Sequence, residues 1–193
     1  LSEECPDKVV RLLDHGKSPH LYTISQYADI TLKEGMLNMN RRQVIEAMQN
    51  VLGALAVIHE AGMIYNDMKS ENIMRADGVW KLNDFDSVTF GGDSNAGNKH
   101  LTQLYNSPEQ AEGRTVTEKS DIWSAGVVLY ECINKGAMPF KDQDAIKNMQ
   151  YDDIRTVGTD YDRLFKMIFT VPEGRPSAKD LISILDEIKR KEM

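Results

Sequence analysis

The longest regular pattern in the chain runs from Asn40 to Ala61. There Val44, Met48, Val51, Leu55 and Ile58 recur at the spacing that puts them on one face of a helix. Asn40 can cap the start of that helix, and Gly62 can end it, because glycine takes the left-handed closing conformation at little cost. Asp121 to Ile133 is apolar on nearly every side (Ile122, Trp123, Ala125, Val127, Val128, Leu129, Ile133) and predicts a buried helix. Asp121 at its head is costly to bury unless its carboxylate is hydrogen-bonded. Two more helices are expected around Asp160–Thr170 and Ser177–Arg190. In the second, Ser177 and Asp180 stand at capping-box spacing, and Leu181, Ile184, Leu185 and Ile188 face inward. Strands are expected at Val9–Leu13 and Leu21–Tyr27, about a turn holding Gly16, Ser18 and Pro19. A short strand is expected at Met63–Tyr65, and a hairpin leads from Ile73-Met74 across Ala76-Asp77-Gly78 to Trp80–Leu82. Residues 1–6 read as loop, and Gly91, Gly92, Asn95, Gly97 and Asn98 mark a flexible loop before Glu109.

Composition narrows the partners. The 193 residues are enough for one domain with its own core, and 41% hydrophobic with 27% charged residues is the balance of a globular protein. A net charge of −7 argues against nucleic-acid binding by bulk charge. No apolar run is long enough for a bilayer and no leader pattern is visible, so no nucleic-acid and no membrane partner is expected. Cys5 and Cys132 fit no metal or redox spacing. They read as reduced thiols, which makes the cytoplasm the expected compartment.

Candidate chemistry gathers in Tyr65-Asn66-Asp67-Met68-Lys69-Ser70-Glu71-Asn72. An Asp stands two residues before a Lys and five before an Asn. Read alone, that spacing also fits a polar turn whose Asp and Asn bond backbone. Asn83-Asp84-Phe85-Asp86 follows, then Leu101-Thr102-Gln103-Leu104-Tyr105-Asn106-Ser107-Pro108-Glu109, then Asp121-Ile122-Trp123-Ser124-Ala125-Gly126, then Gly174-Arg175-Pro176-Ser177. In this order the five stretches resemble the catalytic loop, the D-F-G element, the end of the activation segment, the central helix and the late G-R-P-S turn of the protein kinase family.

The resemblance implies an α+β fold, mostly a helical C-terminal lobe with a remnant β-hairpin and hinge of the N-terminal lobe. Residues 1–28 would be that remnant and 29–193 the large catalytic lobe. It implies a Ser/Thr protein kinase using ATP and Mg²⁺ on a protein substrate. Asp67 would orient the substrate hydroxyl and accept its proton, and Lys69 would neutralise charge on the moving phosphoryl group. Asn72 and Asp84 would hold Mg²⁺ through oxygen atoms. Thr102 would contact Asp67 and Lys69, a combination that favours Ser/Thr over Tyr acceptors. In the hinge, backbone groups of Gln26 and Ala28 would meet the adenine, with Met74 as the floor beneath it and Ser25 at the gatekeeper position. Asp121 would receive backbone N–H groups of the catalytic loop. Glu109 and Arg175 would form a buried ion pair, and His59 is expected to be structural.

Three departures qualify the match. Tyr65 stands where the family has His, which keeps an aromatic contact. Asn66 stands where it has Arg, which removes the usual receptor for a phosphorylated loop, so phosphorylation at Ser94 or Thr102 is not expected to activate. Asp86 stands where it has Gly, which narrows the backbone range and adds a carboxylate close to Asp84. The glycine-rich phosphate loop and the strand lysine of the family do not occur in these residues. A chain that opens on Leu1 favours truncation over a lobe that acts alone. The rival reading is a pseudokinase or lobe mimic that binds another kinase or its substrate. A small-molecule kinase fits the Thr102–Glu109 stretch less well.

Overall fold

The computed structural model describes residues 8–17, 20–91, 104–150 and 159–192. In chain order the elements are β1 (Leu12–Gly16), β2 (Tyr22–Ser25), β3 (Ile30–Thr31), α1 (Leu32–Gly35), α2 (Arg41–Glu60), β4 (Met63–Ile64), β5 (Ile73–Ala76), β6 (Val79–Leu82), β7 (Thr89–Phe90), α3 (Pro108–Ala111), α4 (Glu118–Ile133), α5 (Gln143–Lys147), α6 (Thr159–Ile168) and α7 (Ala178–Lys191). The strands form three small antiparallel sheets: β1–β2, β3–β5–β6 and β4–β7. This is the expected α+β arrangement, dominated by helix.

The two helices with the clearest sequence patterns form the centre. α2 packs against both α4 and α7. Its residues Val44, Met48, Val51, Leu55 and Ile58 are all buried, each contributing roughly 1.5–3 kcal/mol by leaving water. Asn40 caps α2 in a reciprocal box with Gln43, and Gly62 follows its end at φ 71°. In α4, Trp123 stacks on Phe140 at 5.1 Å and leans on Phe169 at 5.0 Å. Gly126 lets α4 approach the end of α6, because a Cβ there would run into Ile168. Ser177 and Asp180 form the expected capping box of α7.

Several boundaries differ from the sequence expectation, for physical reasons. The first strand starts at Leu12, not Val9. Val9 and Val10 turn inward against β6 instead, with Val10 N–H on Leu82 O at 2.8 Å and Leu82 N–H on Lys8 O at 3.1 Å. Both valines are buried there, whereas the faces of β1–β2 are open to solvent. Gly16 lies within β1, beneath the Tyr22 ring, rather than in the turn. α4 begins three residues before Asp121 because Thr117 caps it through Lys119 N–H. Ile184 is only partly buried, unlike Leu181, Leu185 and Ile188. No helix among the described residues is long and apolar enough to cross a membrane.

Candidate active site

The loop after β4 is held from below by a single buried carboxylate. Asp121 accepts the Tyr65 N–H on Oδ2 and the Asn66 N–H on Oδ1, each at 2.8 Å. His59 Nε2 meets the same Oδ2 at 2.8 Å, which gives this histidine a structural partner. Three hydrogen-bonded contacts satisfy a group that is 1% exposed and offset the cost of burying it at the head of α4. With its N–H held, Asn66 takes φ 68°, a left-handed conformation that Asn tolerates better than most residues.

That turn delivers Asp67. Lys69 Nζ lies 2.8 Å and 3.1 Å from its two carboxylate oxygens. Asn72 Nδ2 donates to Asp67 Oδ2 at 2.8 Å and to its backbone O at 3.0 Å. Asp67, Lys69 and Asn72 therefore form one hydrogen-bonded set. Asn83 N–H donates to Asn72 O at 2.9 Å, which brings Asp84 beside them. Asp84 sits at φ 60° with its side chain exposed. Asp84, not Asp86, is the left-handed residue of this element among the described residues. Asp86 is exposed, and its N–H leans on Asp84 Oδ1 at 3.4 Å.

Tyr65 joins the two loops. Its ring meets Phe85 edge-on at 5.6 Å, and its hydroxyl donates to Asn83 O. Burial, then the charges of Asp67 and Asp84, push its pKa well above the ordinary range, so the hydroxyl stays a neutral donor.

The donor set suits a hard cation. The Asn72 side-chain N–H₂ is engaged by Asp67, which leaves the amide oxygen as the acceptor of that side chain, and Asp84 adds an exposed carboxylate. Two protein oxygens are what Mg²⁺ ordinarily takes when phosphate oxygens and water complete its shell. No group of three or more His, Cys, Asp or Glu able to hold a metal exists among the described residues.

The residues expected to form the hinge lie between the β1–β2 ribbon and the three-stranded sheet. Gln26 N–H donates to Arg11 O at 2.7 Å. The Gln26 side chain is clasped by Lys81 Nζ at 3.3 Å and reaches Asp77. Past Ala28, Asp29 N–H bonds Arg75 O at 2.8 Å, and Met74 lies on β5 opposite Thr31 and Lys81. Gln26 thus continues the β1–β2 ribbon, with its side chain on Lys81 of β6, and Met74 lies on β5 of the three-stranded sheet. Ser25 is exposed and pairs with Leu12. Thr102 and Ser94 lie outside the described residues.

The end of the segment before α3 is anchored into the helices. Arg175 grips Glu109 with two bonds, at 2.5 Å and 3.0 Å, both side chains being buried. Ser120 Oγ donates to Glu109 Oε1 at 2.7 Å, and the guanidinium lies 4.9 Å from the Trp123 ring. Burial pushes the Glu109 carboxyl up, but the bond and charge of Arg175 and the bond from Ser120 outweigh it and hold its pKa below the usual value.

A third buried carboxylate is one that the sequence reading missed. Glu131 is wholly buried, accepts Tyr105 OH at 2.8 Å and pairs with Lys33. The Tyr105 oxygen also meets Ser70 Oγ at 3.1 Å, so this cluster supports the Tyr65–Asn72 loop from the side of α1. Lys33 and Glu131 are far apart in sequence, and no local pattern links them. The one available signal was a charged residue inside an otherwise apolar helix.

A family model of the protein kinase domain matches residues 5–193. The chain belongs to the protein kinase family. It is similar to the serine/threonine-protein kinase PknL of Mycobacterium tuberculosis, 33% identical over 147 residues, 72% of this chain and 37% of the relative. It is 38% identical over 127 residues to the probable serine/threonine-protein kinase PknB of Bifidobacterium longum, covering 63% of this chain and 18% of the relative. An Aurora kinase of Schizosaccharomyces pombe is 36% identical over 139 residues, 68% of this chain and 34% of that protein. The matched stretch is therefore well under half the length of each of these relatives.

Proposed function

We propose that the chain serves a Ser/Thr protein kinase that moves the γ-phosphoryl group of ATP to a protein Ser or Thr. On this reading residues 29–193 are the large lobe and residues 1–28 a remnant of the small lobe and hinge. The observation that carries it is the hydrogen-bonded set of Asp67, Lys69 and Asn72, with Asn83 N–H on the Asn72 carbonyl bringing Asp84 alongside.

Asp67 orients the acceptor hydroxyl and takes its proton as the new P–O bond forms and the bond to the β-phosphate oxygen breaks. Lys69 neutralises charge on the transferring group, and Thr102 braces both. Asn72 and Asp84 would supply oxygens for Mg²⁺, which would offset the negative charge of the phosphates. Gln26 and Ala28 offer backbone groups to the adenine above Met74. The names of the relatives, all serine/threonine or Aurora kinases, support a protein acceptor.

Phosphoryl transfer with ATP, Mg²⁺ and a generic Ser/Thr protein tests this in the full-length protein. Asp67→Ala should lower kcat about a thousandfold or more while nucleotide still binds. Asp84→Ala should weaken Mg²⁺-nucleotide binding as well. Parental kcat in both variants overturns the assignment. The 193 residues by themselves should turn over slowly, because no glycine-rich phosphate loop lies in them and fixed electrostatics supply most of the rate in this chemistry.

A further inference from the structure

Asn66 does more than suit a left-handed turn. Its side-chain N–H₂ reaches Thr89 Oγ1 at 2.8 Å, Ser87 O at 2.9 Å and Ile64 O at 3.3 Å. The residue is 5% exposed, and its own Oδ1 is buried without a partner among the described residues. A glycine would accept φ 68° with no orphaned oxygen, so the backbone alone does not explain an asparagine here. The donors do.

They belong to a longer seam. Gly62 O accepts Gly91 N–H at 2.9 Å, Met63–Ile64 pairs with Thr89–Phe90, Tyr65 touches Asn83 and Phe85, and Asn66 holds Ser87 and Thr89. Residues 62–66 are thereby fastened along residues 83–91, on both sides of Asp84. Of the contacts that make the seam, none involves a charged group.

We propose that Asn66 is a positioning residue, an uncharged clamp that fixes the segment carrying Asp84 to the loop carrying Asp67. The inference rests on the reading of Asp67 and Asp84 as the catalytic pair. The clamp uses a carbonyl and a hydroxyl that are always present, so the two carboxylates are aligned without a phosphate on the downstream loop.

Hydrogen exchange of the chain measures the clamp without any need for turnover. Asn66→Gly accepts the left-handed turn and removes the donors together with the unpartnered oxygen. The Gly91 and β7 amides should then exchange about tenfold faster, while amides in α2 and α4 keep parental rates. Thr89→Val removes one acceptor and should give a smaller increase at the same amides. Parental exchange at Gly91 in both variants overturns the proposal, and so does uniform acceleration throughout the helices, which would mean a general loss of stability. Phosphoryl transfer by the full-length protein is the second readout. Phosphatase treatment should leave its kcat within about twofold, and Asn66→Gly should lower kcat more than it raises KM. A large loss on dephosphorylation overturns the autonomy of the clamp. Faster exchange in Asn66→Gly from a protein that never transfers phosphate supports the clamp and removes the kinase reading instead.

Discussion

The β1–β2 ribbon and the helical body treat apolar residues in opposite ways. In α2, Val51 and Leu55 are fully buried, whereas Leu13 is 54%, Ile24 48% and Leu21 80% exposed in and beside the ribbon. A two-stranded ribbon is marginal in water without a packed face. Here it is held at its ends, by Val9 and Val10 against β6 and by Gln26 between Arg11, Lys81 and Asp77. The body contains its own core and buries its own ion pairs. Stability of the chain is therefore expected to reside in the body, with the ribbon contributing little.

The sharpest way to break that contrast is to cut the body's buried ion pair. Arg175→Ala leaves Glu109 buried and uncompensated and should cost about 3–5 kcal/mol, read from urea unfolding. A loss below about 1 kcal/mol would place the chain's stability elsewhere. Gly126→Val comes next. Its branched side chain meets Ile168 and Phe169 where α4 and α6 close up, and overpacking of that kind costs about 1–3 kcal/mol.

Acid sharpens the first prediction. The folded pKa of Glu109 lies below its ordinary value, so the pair's contribution is complete above that ordinary value, near pH 4.3 for a free glutamate. It is lost as pH falls through the lower folded value. The stability gap between the parent and Glu109→Gln should be constant above about pH 5 and shrink on acidification below about pH 4. A gap that does not change with pH would mean that the carboxylate charge is not what stabilises the site.

The smallest effects belong to the ribbon. Leu13→Ser and Ile24→Thr should each change unfolding free energy by no more than about 0.5 kcal/mol, since about half of each residue stays in water and neither joins the core. A loss comparable to Gly126→Val would show that the ribbon shares the body's core.

Legibility followed the range of the interaction. α2 could be read to within a residue, because Asn40, the apolar face and Gly62 all act within a few turns. The capping box of α7 was equally local. The short strand at Met63 and the hairpin across Asp77-Gly78 were legible too, but the start of the first strand was not, because Val9 and Val10 choose between pairing along the ribbon and burial against β6, and only the position of β6 decides. Asp67, Lys69 and Asn72 were legible as a spacing, since a tight loop must bring residues two and five apart within bonding reach. The αL geometry of Asp84, the bonds from Asn66 to Ser87 and Thr89 and the Lys33–Glu131–Tyr105 cluster were not. Each depends on a partner from another element.

By itself, then, the order of residues determined α2 and α7 with their caps, the apolar body of α4, the order of the kinase motifs and the identity of the groups at the candidate site. These rest on contacts between near neighbours, which the chain carries wherever it goes. Tertiary structure decided which carboxylates are buried and by whom they are answered: Asp121 by the loop N–H groups and His59, Glu109 by Arg175, Glu131 by Lys33 and Tyr105. It also decided that Asn66, read from the sequence as a missing cation, would act as a donor to Ser87 and Thr89. A buried polar group must find its partner wherever packing puts one, and packing is a property of the folded chain.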